Sequence, residues 1–137
     1  MISVFLDTSA IFAAARPQSD RHAEAAAEYR RLLRDTIRLV TTDLVIVELH
    51  ALALSRSHAA AALDLADRLM QSGRIEIQAT GLDRLAEALD LLRRRPGRTY
   101  SLADAASFVV MRELEIEQAF TLDDDFAAEG FQVVPAI

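Results

Sequence analysis

Short apolar runs alternate with longer amphipathic stretches from one end of the chain to the other. The runs are too short for helices and most are rich in β-branched residues, so they predict strands. The predicted strands span residues 2–6, 37–41, 74–80, 118–122 and 131–135. The stretches between them have helical composition and spacing. They predict helices over 8–15, 19–36, 42–55, 57–73, 81–95 and 101–115, and a short helix or turn over 123–130.

Polar residues and glycine mark several of the helix ends. Ser19 or Asp20 is expected to cap the second helix, because short oxygen-bearing side chains accept hydrogen bonds from the first turn. Thr42 or Asp43 is expected to do the same for the third helix. Gly73 is expected to stop the fourth, since glycine readily adopts the conformation that ends a helix.

Strands separated by helices over most of the chain indicate βαβ units. Such units build a mostly parallel sheet with helices on both faces, so we expect a three-layer α/β/α sandwich. The 137 residues, the hydrophobic fraction of 52% and the mean hydropathy of +0.15 fit one compact domain over residues 1–137. Ligands of such sheets bind beyond the carboxyl ends of the strands.

Composition narrows the chemistry that the chain can perform. The absence of cysteine excludes disulfides, thiolate metal sites and a cysteine nucleophile, and the absence of lysine excludes Schiff-base chemistry and a P-loop lysine. No apolar run approaches the roughly 18–20 residues that span a bilayer, and the first residues do not resemble a signal peptide. We therefore expect a cytoplasmic protein without a membrane partner. The net charge of −6 argues against nucleic acid, whereas fifteen arginines suit contact with phosphate.

Four carboxylates occur among apolar neighbours. Asp7 ends the first predicted strand and Asp123 follows the fourth, while Glu48 interrupts an apolar helix face and Asp104 lies near the start of an apolar helix. Each also has a simpler interpretation. Asp7 and Asp123 could cap helices, Asp104 could form a capping box with Ser101, and Glu48 could pair with an arginine.

These simpler interpretations weaken when the four acids are considered together. Carboxylates that converge at one sheet edge repel each other strongly, and a hard divalent cation reverses that repulsion. Ligand sets of oxygen alone suit Mg²⁺ or Mn²⁺. A divalent cation brought from solution is therefore the expected partner of Asp7 and of the acids that converge with it.

Four segments resemble the signature blocks of PIN-domain ribonucleases, above all the small VapC-type toxins. They read FLDTSAIF, ELHAL, YSLADAASFVVMRE and AFTLDDDFAAEGFQVVP, in the family's order and over essentially the whole chain. The resemblance implies a metal-dependent endoribonuclease that hydrolyses RNA phosphodiesters with metal-activated water. It makes Asp7, Glu48, Asp104 and Asp123 the catalytic quartet. In that quartet Asp7, Asp104 and Asp123 are the expected metal ligands, and Glu48 either joins them or orients the attacking water. Residues placed by it beside the quartet are Thr8 or Ser9, Thr121 and, as an accessory acid, Asp125.

The resemblance also implies partners. A VapC-type toxin would have RNA as its substrate and a VapB-like antitoxin that covers the pocket, and it would form a homodimer. The arginine-rich segment RRRPGR supplies the candidate RNA contacts Arg93, Arg94, Arg95 and Arg98. These arginines also fit a solvated helix end, where cations favour the dipole.

Three other functions stay open at this point. An aspartate-nucleophile phosphatase also begins with a strand and an aspartate, but it requires a second aspartate where this chain has Ser9, and a lysine. An RNA-processing nuclease of the same fold would not be a toxin. A non-catalytic interaction module would keep the metal-binding acids for structure alone.

Overall fold

The computed structural model describes residues 2–35 and 37–136. All five predicted strands are present in the described residues, and the first has the predicted bounds. The third, fourth and fifth are shorter at both ends or at one end than the sequence predicts. The strands are β1 (Ile2–Leu6), β2 (Ile37–Thr42), β3 (Ile75–Gln78), β4 (Gln118–Phe120) and β5 (Gln132–Val134).

Seven helices of the described part of the chain lie between these strands. Each corresponds to a predicted helix, and most are a few residues shorter. They are α1 (Thr8–Ala15), α2 (His22–Arg34), α3 (Asp43–Arg56), α4 (Ala59–Gln71), α5 (Gly81–Arg93), α6 (Leu102–Glu113) and α7 (Asp124–Ala128).

The start of α2 differs from the prediction. Neither Ser19 nor Asp20 caps it, because the chain first makes a turn in which the N–H of His22 donates to the carbonyl of Ser19 at 3.1 Å. Arg21 occupies the N-cap position and makes no side-chain capping bond. The helix therefore begins three residues later than predicted.

The start of α3 is as predicted. Thr42 is the N-cap, and its hydroxyl accepts a hydrogen bond of 3.2 Å from the backbone N–H of Val45. Asp43 then lies in the first turn and makes a longer-range contact, accepting 2.6 Å and 3.0 Å bonds from the hydroxyl and N–H of Thr80. This contact ties the starts of α3 and α5 together.

The five described strands form one sheet that is parallel throughout, in the order β3-β2-β1-β4-β5. Because parallel crossovers are right-handed, α1 to α4 cover one face and α5 to α7 cover the other. Helix contacts agree with this division, since α1 packs on α2 and α3 whereas α5 packs on α6. The expected three-layer α/β/α sandwich is confirmed.

This strand order contains a topological switch point between β1 and β4. The chain leaves β1 toward β2 on one side and leaves β4 toward β5 on the other. The connections therefore diverge and leave a crevice beyond the carboxyl ends of these two strands. In parallel α/β sheets such a crevice is the usual ligand-binding position.

The core that holds this crevice is apolar and aromatic. Phe5 and Phe126 stack with their ring centroids 6.3 Å apart, and Phe108 packs edge-on against Phe126 at 4.9 Å. All three rings are fully buried. They join β1, α6 and α7, which are three of the elements that lead into the crevice. In the described part of the chain, no helix has the length and apolar character that crossing a bilayer requires.

Candidate active site

Asp7 lies at the switch point itself. It follows β1, and its backbone N–H still donates to the carbonyl of Phe120 on β4 at 3.0 Å. The register of the two strands places Leu6 beside Phe120, so the residues that follow β1 and β4 meet at the same edge of the sheet. Asp7 is only 4% exposed. Parallel pairing of two short strands is therefore what fixes the buried carboxylate in the crevice.

Two hydroxyl groups hold one oxygen of Asp7. Thr121 and Ser9 donate to Oδ2 at 2.8 Å and 2.9 Å. Both hydroxyl oxygens also accept backbone bonds, Thr121 from the N–H of Asp123 at 3.0 Å and Ser9 from the N–H of Leu122 at 2.9 Å. These bonds orient the Asp7 carboxylate and lock the loop after β4 onto the start of α1.

Glu48 reaches the same crevice from α3. The hydroxyl of Thr8 donates to its Oε1 at 3.1 Å, across the contact between α1 and α3. Glu48 is half-buried, whereas Leu49 and Val45 beside it are fully buried. The helix thus packs its apolar face into the core and leaves the Glu48 carboxylate at the edge of the crevice.

The remaining acids form a tight cluster at the starts of α6 and α7. One carboxylate oxygen from each of Asp104, Asp123 and Asp125 lies within 4.8 Å of the other two. Asp104 projects from the first turn of α6. Asp123 is the N-cap of α7, and its Oδ1 accepts from the N–H of Asp125 at 2.9 Å. Three carboxylate oxygens this close together could all ligate one divalent cation placed between them.

Electrostatic coupling links Asp7 to this cluster. Burial raises the pKa of Asp7 to about 6, and the charge of Asp123 adds to the rise, although the hydroxyls of Thr121 and Ser9 oppose it. Burial together with the charges of Asp7 and Asp123 raises the pKa of Asp104 to about 6. Each of these carboxyl groups thus holds its proton more strongly, chiefly because it is buried and additionally because other acids are close.

The pKa values of Glu48 and Asp125 are raised as well. Burial raises the pKa of Glu48, and the charges of Asp104 and Asp123 add to it against the hydrogen bond from Thr8. Burial and Asp123 also raise the pKa of Asp125, and the positive charge of Arg98 partly offsets that rise. The four predicted acids therefore converge at one site, and Asp125 lies in it as a fifth.

Among the described residues, no basic side chain forms an ion pair with these carboxylates, and Arg98 acts on Asp125 only at longer range. Within residues 2–35 and 37–136, the ion pairs involve other acids throughout, and none includes a member of the cluster, Asp7 or Glu48. The interpretation of Glu48 as the partner of an arginine is therefore wrong in this structure. A donor set of carboxylate oxygens that repel one another fits a hard divalent cation.

The structure gives different outcomes for the three interpretations of these aspartates as helix caps. Asp7 sits at the N-cap of α1 but makes no side-chain capping bond. Ser101 caps α6 by accepting from the N–H of Asp104 at 3.0 Å, a bond that does not use the Asp104 carboxylate. Asp123 does cap α7 through Oδ1. A capping role and a place in the acidic cluster are thus compatible for Asp123.

The arginines of the segment RRRPGR have different surroundings. Arg93 pairs with Asp90 on the surface at 2.6 Å. Arg95 binds Glu129 through two bonds, from Nε to Oε1 at 3.0 Å and from Nη2 to Oε2 at 3.1 Å. Arg94 and Arg98 are exposed and form no ion pair with the described residues.

Sequence reasoning missed the role of Glu129. Its side chain is 2% exposed and also binds Arg112 at 2.9 Å. Burial acts to raise the pKa of Glu129, but the hydrogen bonds from Arg95 and Arg112 outweigh it and lower the pKa. An acid between two alanines and a glycine in FAAEGF was the available signal, but nothing local to it identifies two arginine partners.

A model of the PIN domain family matches residues 4–131. The chain therefore belongs to the PIN-domain family, and its resemblance is to the VapC type. It is 35% identical over 130 residues, which are 93% of this chain and 95% of the relative, to the 23S rRNA-specific endonuclease VapC20 of Mycobacterium tuberculosis.

Solved structures give the same family. The crystal structure of Mycobacterium tuberculosis VapC20, described as a sarcin-ricin loop cleaving toxin, matches with a TM-score of 0.84 and 31% identity over 93% of this chain and 95% of that chain. VapBC2 from Rickettsia felis, bound to a DNA fragment from its promoter, matches with a TM-score of 0.68 and 16% identity over 97% of both chains. At that identity the second likeness supports the fold alone.

Proposed function

We propose that this chain is a VapC-type toxin that cleaves RNA with Mg²⁺ or Mn²⁺. The observation that carries the proposal is the meeting of Asp7, Glu48, Asp104 and Asp123 at the switch point with no cation from the described chain to balance them. The similarity to a ribosomal RNA endonuclease over nearly the whole chain supports the same activity.

The aspartates are the proposed metal ligands. Asp104, Asp123 and Asp125 offer three oxygens within 4.8 Å of one another, close enough to ligate one ion, and Asp7 adds its charge from the floor of the crevice. When bound, a divalent cation lowers the pKa of water and offsets the charge that builds on the phosphate. The hydroxyls on Asp7 Oδ2 leave Oδ1 for that cation or for its water.

Glu48 is the proposed residue that orients the attacking water. Thr8 holds its Oε1, so Oε2 can accept a hydrogen bond from water. Its raised pKa makes it a better proton acceptor than an ordinary glutamate. In-line attack forms the new bond from water oxygen to phosphorus and breaks the bond to the 3′-oxygen. The products carry a 5′-phosphate and a 3′-hydroxyl.

We propose ribosomal RNA as the first substrate to test, because the relative with 35% identity is specific for 23S rRNA. Single-stranded loops expose bases and backbone that a duplex conceals, so a looped segment suits an open crevice. As a VapC-type toxin, the chain would act in the cytoplasm, form a homodimer and be covered by a VapB-like antitoxin.

The experiment incubates the protein with ribosomes and with deproteinised rRNA in the presence of Mn²⁺, and then maps the ends. We expect a small number of Mn²⁺-dependent cuts that bear 5′-phosphate, and loss of cutting in Asp104→Asn. Cuts that bear 2′,3′-cyclic phosphate, or that survive in Asp104→Asn, would contradict the mechanism. Metal binding without cleavage of any RNA would favour the non-catalytic interaction module.

A further inference from the structure

The segment between α5 and α6 is held at two points. Arg95 donates two hydrogen bonds to the buried carboxylate of Glu129. Tyr100 is buried, and its ring packs against Phe108 with centroids 5.1 Å apart. Between these anchors the N–H of Arg98 donates to the carbonyl of Arg95 at 3.0 Å and closes a turn. The backbone of Arg98 is therefore fixed although its side chain is exposed.

The turn is continuous with the acidic site. Ser101, three residues after Arg98, caps α6 and so places the first turn of that helix, from which Asp104 projects. Arg98 therefore lies in the turn that leads directly into the helix carrying Asp104, and its positive charge opposes the rise in the pKa of Asp125. Arg98 forms no ion pair with any described acid.

A free arginine beside acids that a metal neutralises is arranged to bind phosphate. The cation reverses the local potential, and the arginine then faces a substrate backbone rather than a carboxylate. Its planar fork can hold two phosphate oxygens, and a fixed backbone lowers the entropy lost on binding. Arg93 and Arg95 of the same segment already have acidic partners. Arg94 has none among the described residues, but it lines a different hollow, together with Glu87 and Glu113.

We infer that Arg98 binds a backbone phosphate of the RNA next to the cleaved bond and positions the strand over the acidic cluster. This inference rests on the proposed nuclease function and deepens it. It also divides the arginine segment by role. Arg95 anchors the turn, and Arg98 makes the contact with substrate.

The test compares Arg98→Ala, Arg98→Lys and Arg34→Ala in steady-state cleavage of one RNA at several salt concentrations. Arg34→Ala is the matched control, because Arg34 is exposed at the end of α2, next to the opposite edge of the sheet. Loss of one phosphate contact in Arg98→Ala should raise KM roughly three- to tenfold, with kcat within about twofold of wild type. The magnitude of the slope of log(1/KM) against log salt should decrease by about 0.7.

Arg98→Lys keeps the charge, so it should keep the salt slope and recover part of the lost affinity. All three variants should unfold close to the wild-type temperature. The Arg98 side chain makes no bond with the described residues, and the only ion pair of Arg34 among them is an exposed contact of 3.9 Å with Asp35, which contributes little. A KM and salt slope equal to those of Arg34→Ala would overturn the inference while leaving the nuclease function intact. A wild-type protein that cleaves no RNA would overturn the proposed function first and this inference with it.

Discussion

Thr121 donates a 2.8 Å hydrogen bond from Oγ1 to Oδ2 of Asp7, across 114 positions of sequence. Asp7 follows β1 and Thr121 follows β4, and these strands are neighbours only because the chain crosses the sheet between β3 and β4. The hydroxyl favours the ionised form of a carboxyl group that burial drives toward the protonated form. The bond therefore favours the ionised form of Asp7, which is the form that the proposed metal would bind.

Replacing Thr121 with Val should make the ionised form of Asp7 less favourable. The variant loses one of the two hydroxyl donors to Asp7, so the pKa of Asp7 should rise further above about 6. Because metal binds the ionised form, the acid limb of the cleavage profile should move to higher pH. The measurement is kcat/KM against pH at fixed Mn²⁺, between about pH 5.5 and 8.5.

Thr41→Val is the matched control for this change. Thr41 is also buried, and it donates to the carbonyl of Leu6 at 2.8 Å from the neighbouring strand without touching a carboxylate. It should lose about 1 kcal/mol of unfolding free energy and keep the wild-type pH profile. Equal shifts in both variants would mean that general loosening, not the bond to Asp7, moves the profile.

Local sequence pattern predicted most of this fold. β1 and α1 have the predicted bounds, because a β-branched apolar run followed by small helix-forming residues leaves few alternatives. α2 begins late because its start is set by a turn after Pro17 that no capping pattern reveals. β3 ends early because Thr80 bonds to Asp43, which is far from it in sequence.

For the candidate site too, one part was predictable from the sequence and another part was not. Acids among apolar residues were visible in the sequence, and the structure brings all four predicted ones together. The position of Asp125 depends on the single turn of α7, which carries its carboxylate back toward Asp123 and Asp104. The bonds of Glu129 to Arg95 and Arg112 depend on tertiary packing, so sequence alone could not pair them.

Asp104→Asn should stabilise the metal-free protein while it abolishes metal binding. The pKa of Asp104 is raised to about 6, so at pH 7.5 its ionisation costs folding free energy. Removing that charge should add about 1–2 kcal/mol, a value reduced for the partial exposure of the group. Thermal unfolding with and without Mn²⁺ measures both effects.

The control for this variant is Asp67→Asn, which removes the same charge from an exposed position on α4. It should change the unfolding free energy by less than about 0.5 kcal/mol and leave the response to Mn²⁺ unchanged. If Asp67→Asn stabilised the protein by a similar amount, then net charge, rather than the burial of Asp104 beside other acids, would be responsible.

The metal-free protein should lose stability as pH rises from about 4 to 6.5. Asp7 and Asp104 have pKa values raised to about 6, so the folded state binds more protons than the unfolded state in that interval. The free energy of unfolding then falls with rising pH, and the loss is complete above the folded pKa. Urea unfolding at pH 4.5, 5.5 and 7.5 measures it.

Mn²⁺ should reverse this trend, because it binds the ionised carboxylates and stabilises the folded state by mass action. The shift in unfolding midpoint on adding Mn²⁺ should therefore be larger at pH 7.5 than at pH 5. A metal response that is equal at both pH values would argue against binding through Asp7 and Asp104.

Glu129→Gln should destabilise the fold without removing any acid of the site. The variant leaves Arg95 and Arg112 without their shared buried carboxylate, and since both arginines are partly exposed we expect a cost of about 1–3 kcal/mol. The folded pKa of Glu129 is lowered, so its contribution is present above about pH 4.5 and is lost as pH falls through the folded pKa. The stability difference between wild type and variant should accordingly shrink below pH 4.5.

The control for this variant is Glu113→Gln. It breaks the more exposed pair with Arg84 and should cost less than about 1 kcal/mol. A cost of Glu129→Gln no larger than that control would mean that the buried carboxylate does not anchor the α5–α6 turn.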